Sequence, residues 1–221
     1  MPRENFHRQL TAIQDGVLEL GSMVDRQIER AMQALLDRDM TLAEAVVRDD
    51  AEVNRARYDL DNTCLLLLAQ QAPMAVDLRV IVSVLAIASD LERMGDHAEG
   101  VASIVVLMAD EPVVKPLVDI PRMAAISREM LRSSLDAFIA RNVEAAFEVG
   151  RRDDAVDELQ DIVYNDLVAI MINDPTTVEP CTHLLWVAHN FERIADRATN
   201  IAERVVFTVT GELPQMDVST Y

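Results

Sequence analysis

DLERMGDHA, residues 90–98, has a near-copy in NFERIADRA, residues 190–198. Each places a Glu and an Asp four residues apart: Glu92 with Asp96, and Glu192 with Asp196. On a helix such residues share a face, and two like charges there are destabilising. The same unfavourable pair at corresponding places marks a positioned feature of a repeated unit, and the spacing of 100 residues between copies sets the scale of that unit.

The flanking sequence repeats as well. RDMTLAEAVVRDDAEVN (38–54) aligns with RNVEAAFEVGRRDDAVD (141–157), offset by 103 residues, and the small mismatch in offset falls around the prolines at 73 and 175. Prolines interrupt helices, so the long proline-free stretches read as helix. Apolar positions at helical spacing (Leu10, Ile13, Val17, Leu20, Val24, Ile28, Met32, Leu35) predict a first helix over 4–38. Thr41 is the expected N-cap of a second, running to about Gln71, and a third runs from near Asp77 to about Ala109. The second half repeats this over 122–140, 143–173 and about 178–210, with Gly211 as the stop. The expected fold is all-α: two tandem three-helix bundles related by internal duplication. Residues 1–110 form the first, 111–121 a proline-rich linker, 122–211 the second and 212–221 a tail.

Composition narrows the function. Half of the 221 residues are hydrophobic, enough for a packed core. With 38 acidic and 20 basic side chains the net charge is −18, which argues against nucleic acid or anionic lipid as partner and favours cations or a basic protein surface. Two cysteines without a CxxC fit a reducing compartment, and the apolar run 80–88 is too short to span a bilayer. The expectation is a cytoplasmic protein without direct membrane insertion.

At about 100° per residue, Leu78, Ile81 and Leu85 lie on the stripe that continues into Glu92, Asp96 and Glu99. Val178, Cys181 and Leu185 lead likewise into Glu192, Asp196 and Glu203. The second helix of each unit adds Asp50 with Asn54, and Asp153 with Asp157. Antiparallel packing brings these towards the Glu/Asp pairs, so four or more carboxylates converge in each half. Oxygen-rich sites of this kind suit hard cations. The competing explanation is arginine pairing, from Arg93 to Asp90 or Asp96 and from Arg193 to Asp196, which makes a salt-bridged helix face without any metal. His189 stands three residues before Glu192; His97 points to a different face from Asp96; His7 and His183 lack acidic neighbours at ligand spacing.

ERMGDHA, ERIADRATNIAERV, AVDLR (75–79) after a proline and FTVTGELP after the last helix together resemble the PhoU family over about residues 7–213. The resemblance implies two similar three-helix bundles and a cytoplasmic accessory protein, not an enzyme. That protein would be a negative regulator of phosphate uptake and of the phosphate-starvation response. It would act as an adaptor between the ATPase of the phosphate ABC transporter and a phosphate-sensing histidine kinase, and would form a homodimer. It also implies metal binding, of iron, zinc or another divalent or trivalent ion, through E(D)xxxD motifs: Glu92 and Asp96, Glu192 and Asp196, Asp153 and Asp157, and Asp50 with Asn54. The NxxE that follows in the family is Asn200 and Glu203 in the second half, whereas the first has Gly100 and Ser103. From these departures the second site is expected to bind metal more tightly. Two other readings are a carboxylate-bridged metalloenzyme in a helical bundle and a structural helical oligomer. The first would need Glu-x-x-His on two helices, and the chain offers only His189-x-x-Glu192, reversed.

Overall fold

Long stretches without proline, and alanine-, leucine- and valine-rich stripes, give six helices in the computed structural model, which describes residues 2–109, 111, 114 and 117–216. They are α1 (Pro2–Asp37), α2 (Met40–Gln71), α3 (Ala75–Leu107), α4 (Asp119–Ala140), α5 (Val143–Asn173) and α6 (Val178–Thr210), with a short 3₁₀ turn (Pro175–Thr177) before α6. No strand occurs among the described residues.

The duplication extends to the helix ends. Asp39, not Thr41, caps α2: its backbone is extended and its Oδ1 accepts from Leu42 N at 3.0 Å. The aspartate carboxylate reaches the orphan amide from two residues before Thr41, and Thr41 is already helical. Asn142 does the same for α5, accepting from Ala145 N at 3.1 Å. Asp39→Ala should cost about 1 kcal/mol, read as a lowered thermal midpoint. Before each cap stands an arginine in the left-handed region, Arg38 (φ 54°) and Arg141 (φ 52°), a conformation that costs about 1–2 kcal/mol. At Arg38 this is offset by bonds from its Nη2 to the carbonyls of Met108 (2.9 Å), Ala109 (3.2 Å) and Glu111 (2.6 Å), which tie the first turn to the end of α3. Two further boundaries move. α3 starts at Ala75, and α4 starts at Asp119, taking in Pro121, because proline is tolerated in a first turn whose amides have no partner in the helix. Gly211 ends α6 as expected, at φ 86°.

The two three-helix units share one core. α3 packs against α6 and α1 against α4, and the buried apolar side chains of all six helices form a single cluster. The α3/α6 seam is antiparallel, as its rungs show: Thr208 Oγ1 to Ser83 Oγ (2.7 Å), Arg197 and Asn200 towards Asp90, and His97 to Asn190 (2.9 Å). Between α1 and α4, Asp25 receives Arg128 (2.8 Å) and Arg132 (3.0 Å). The apolar stripe opposite the acidic one, through Ile87, Leu91, Met94, Val101 and Val105, is buried.

Candidate functional site

At Gly95, α1 and α2 approach α3 beside the first acidic pair. A Cβ there would stand 3.1 Å from Gln27 Oε1, 3.3 Å from Val53 Cγ1 and 3.4 Å from Asp50 Oδ1. The glycine costs about 1 kcal/mol of helix propensity and makes room for an amide and a carboxylate. Asp50 is held on both sides: Gln27 Nε2 donates to its Oδ1 at 2.9 Å and Asn54 Nδ2 to its Oδ2 at 2.7 Å. Ser103 Oγ donates to Glu99 Oε1 at 2.8 Å. The Asp96 carboxyl is pushed up to about 6, first by burial and then by the negative charges of Glu92, Asp50 and Glu99, with Arg93 opposing weakly. Four carboxylates from two helices therefore act on one another here. Among the described residues neither Glu92 nor Asp96 has an arginine or lysine at ion-pair distance.

The second copy resolves the same repulsion with arginine. Glu192 is buried, and Arg193 Nε donates to its Oε2 at 2.6 Å. Arg193 Nη1 pairs with Asp196 Oδ2 at 2.9 Å, and His189 Nδ1 lies 3.4 Å from Glu192 Oε2. Burial, then Arg193, lowers the His189 pKa. Asp153 is buried on α5, one turn before the half-buried Asp157. Asn200 sits on the α3/α6 seam, its amide 3.5 Å from Asp90, whose pKa is raised chiefly by burial. Glu203 accepts the main-chain N–H of Met216 at 2.7 Å. The structure thus engages the NxxE pair with a neighbouring helix and with the tail. Gly100, the first-half counterpart of Asn200, also faces the seam, where a Cβ would meet Asn190 Oδ1 at 3.3 Å.

Gln27 is the site residue that sequence reasoning missed. It is 4 % exposed on α1, and its Oε1 has no hydrogen-bond partner. The signal was present: a glutamine interrupts the apolar stripe Val24, Ile28, Ala31. By the register of buried positions its counterpart on α4 is Met130. His183, read as lacking acidic neighbours, meets Glu111 of the linker at 2.8 Å.

The first cluster is all oxygen: carboxylates of Asp50, Glu92, Asp96 and Glu99, with the amide oxygens of Gln27 and Asn54 beside them. That chemistry fits a hard cation, and the orphaned Gln27 oxygen is one acceptor it would satisfy. Zinc, which prefers nitrogen and sulfur in closed sites, fits less well. Among the described residues no three His, Cys, Asp or Glu side chains already stand as a metal cage. A cation would have to draw these groups together.

A family model described as the PhoU domain matches residues 17–105 and 120–205. The phosphate-specific transport system accessory protein PhoU homolog of Clostridium acetobutylicum is 35 % identical over 220 residues, 99 % of this chain and 100 % of that protein. Its namesake in Aquifex aeolicus is 36 % identical over 206 residues, 93 % of each chain. Among solved structures, the phosphate transport system regulatory protein PhoU from Streptococcus pneumoniae matches at a TM-score of 0.90 and 30 % identity, covering 95 % of this chain and 99 % of that one. PhoU from Pseudomonas aeruginosa matches at 0.89 and 32 %, covering 94 % and 100 %. With both repeats matched in register and its full length covered, this chain belongs to the PhoU family.

Proposed function

We propose that this protein is a cytoplasmic negative regulator of phosphate uptake and of the phosphate-starvation response. It acts as an adaptor between the ATPase of a phosphate ABC transporter and a sensor histidine kinase, and carries no catalytic activity of its own. The observation that supports this best is the end-to-end similarity to proteins named as accessory to phosphate transport. No helix among the described residues is long and apolar enough to cross a membrane, so membrane-bound partners would be met at their exposed domains. The homodimer implied by the resemblance belongs to the same proposal.

The acidic faces are the second part of the proposal. A cation at the first cluster would neutralise Asp50, Glu92, Asp96 and Glu99 and pin α2 to α3. The second copy, whose Glu192 and Asp196 are already paired with Arg193, would hold one less tightly. This ordering is the reverse of the one expected from the NxxE departure.

Deleting the gene in its host tests the regulatory reading. A phosphate-repressed reporter should then stay on in high phosphate, and re-expression of the chain should switch it off. A reporter that remains repressed in the deletion strain would remove the proposal. Affinity purification from cells expressing both partners should recover the ATPase and the kinase; recovery of neither would remove the adaptor role.

A further inference from the structure

The tail after α6 folds back into a groove between α5 and α6. There Met216 covers Gly150: a Cβ at Gly150 would stand 3.2 Å from Met216 Cβ and 3.4 Å from its Sδ. Met216 is partly buried against the core, and its main-chain N–H donates to Glu203 Oε1 at 2.7 Å. The chain thus shows what this groove takes: a non-helical segment offering an unbranched apolar side chain and a main-chain amide.

The same groove exists in the first repeat, and there it is open. In register, Phe147, Gly150 and Arg151 correspond to Glu44, Val47 and Arg48 on α2, and Glu203, Val206 and Phe207 to Ser103, Val106 and Leu107 on α3. Those six first-repeat residues line a groove of about 450 Å³. Its floor is Val47 and Val106, both packed on the core, and Leu107 on its wall is 62 % exposed. The segment after α3, which corresponds to the tail, is used differently: Glu111 pairs with His183, and Val114 and Leu117 pack on the core. Ser103 Oγ spends its proton on Glu99, which leaves its lone pairs able to accept an N–H. Ser103 and Leu107 are smaller than Glu203 and Phe207, which offsets the volume that Val47 adds where the second repeat has glycine. Glu44 and Arg48 give the rim mixed charge.

We propose that the α2/α3 groove is a docking site for a non-helical segment of a partner protein. That segment seats a methionine- or leucine-like side chain on Val47, Val106 and Leu107 and directs a main-chain amide to Ser103. The chain's own tail is not the occupant, because it is tethered next to the α5/α6 groove at high effective concentration. The inference does not depend on the cation reading.

The probe is a fluorescent peptide of sequence GELPQMDVSTY, titrated into the full-length chain by anisotropy. One equivalent should bind. Leu107→Glu, and alanine at the peptide's methionine, should each weaken binding at least tenfold; Val47→Arg should do the same. The melting curve of Leu107→Glu should stay unchanged, because the side chain is mostly exposed. A chain ending at Gly211 should bind two equivalents, only one of them sensitive to Leu107→Glu. No binding to the full-length chain, or binding indifferent to Leu107→Glu and Val47→Arg, would overturn the proposal. So would self-association of the full-length chain that Leu107→Glu abolishes, since the occupant would then be a second copy.

Discussion

Asp96→Asn is expected to lower the affinity of the chain for Mn²⁺ at least tenfold, whereas Asp196→Asn changes it less than about threefold. The difference follows from what already neutralises each carboxylate. Asp196 lies 2.9 Å from Arg193, so a cation arriving there displaces an existing ion pair. Asp96 has no such partner: burial first, and then the charges of Glu92, Asp50 and Glu99, push its carboxyl up to about 6. A tenfold change is about 1.4 kcal/mol, modest for one of several charged oxygen donors. The same substitution should raise the thermal midpoint of the metal-free protein, because it removes one of four like charges, and should shrink the gain in midpoint that Mn²⁺ gives the wild type. Calorimetric titration and melting curves with and without Mn²⁺ read both effects. Equal losses for the two variants would show that the arginine does not distinguish the repeats.

Phe191→Ala is expected to destabilise the fold strongly. The side chain is fully buried where α6 meets α4, and its carbonyl accepts from Ser127 Oγ at 3.0 Å. Truncation of a buried phenylalanine costs about 3–5 kcal/mol through lost transfer energy and the cavity left behind. For a chain of this size that is a fall of roughly 6–20 °C in the thermal midpoint. Because the buried clusters of the two repeats are continuous, the melt should remain a single transition that moves as a whole. A variant in which the second repeat melts first, leaving the first at its original midpoint, would show that the repeats fold independently.

The repeat, the helix count and the acidic stripes could be read from the sequence because each is local. The 3.6-residue pattern, the prolines and a 100-residue echo require no knowledge of what packs on what. Three features required the third dimension. The seam between α3 and α6 takes up Asn200 and Gly100, and no spacing along one helix reveals a neighbour from the other repeat. The tail takes up Glu203 from thirteen residues away. Gln27 joins the first cluster from α1, and in a one-dimensional reading it passes for a flaw in an apolar stripe. Arginine pairing was visible as an alternative at three-residue spacing; that it operates in the second copy and not at Glu92 and Asp96 depends on which way Arg93 and Arg193 turn.

The measurement that bears most directly on the proposed role is complementation of a gene-deletion strain, with a phosphate-repressed reporter read in high phosphate. A chain carrying Asp96→Asn and Asp196→Asn together should accumulate and fold like the wild type, yet leave the reporter on. Full repression by that double variant would contradict the account, because the acidic faces would then be structural surface with no part in regulation.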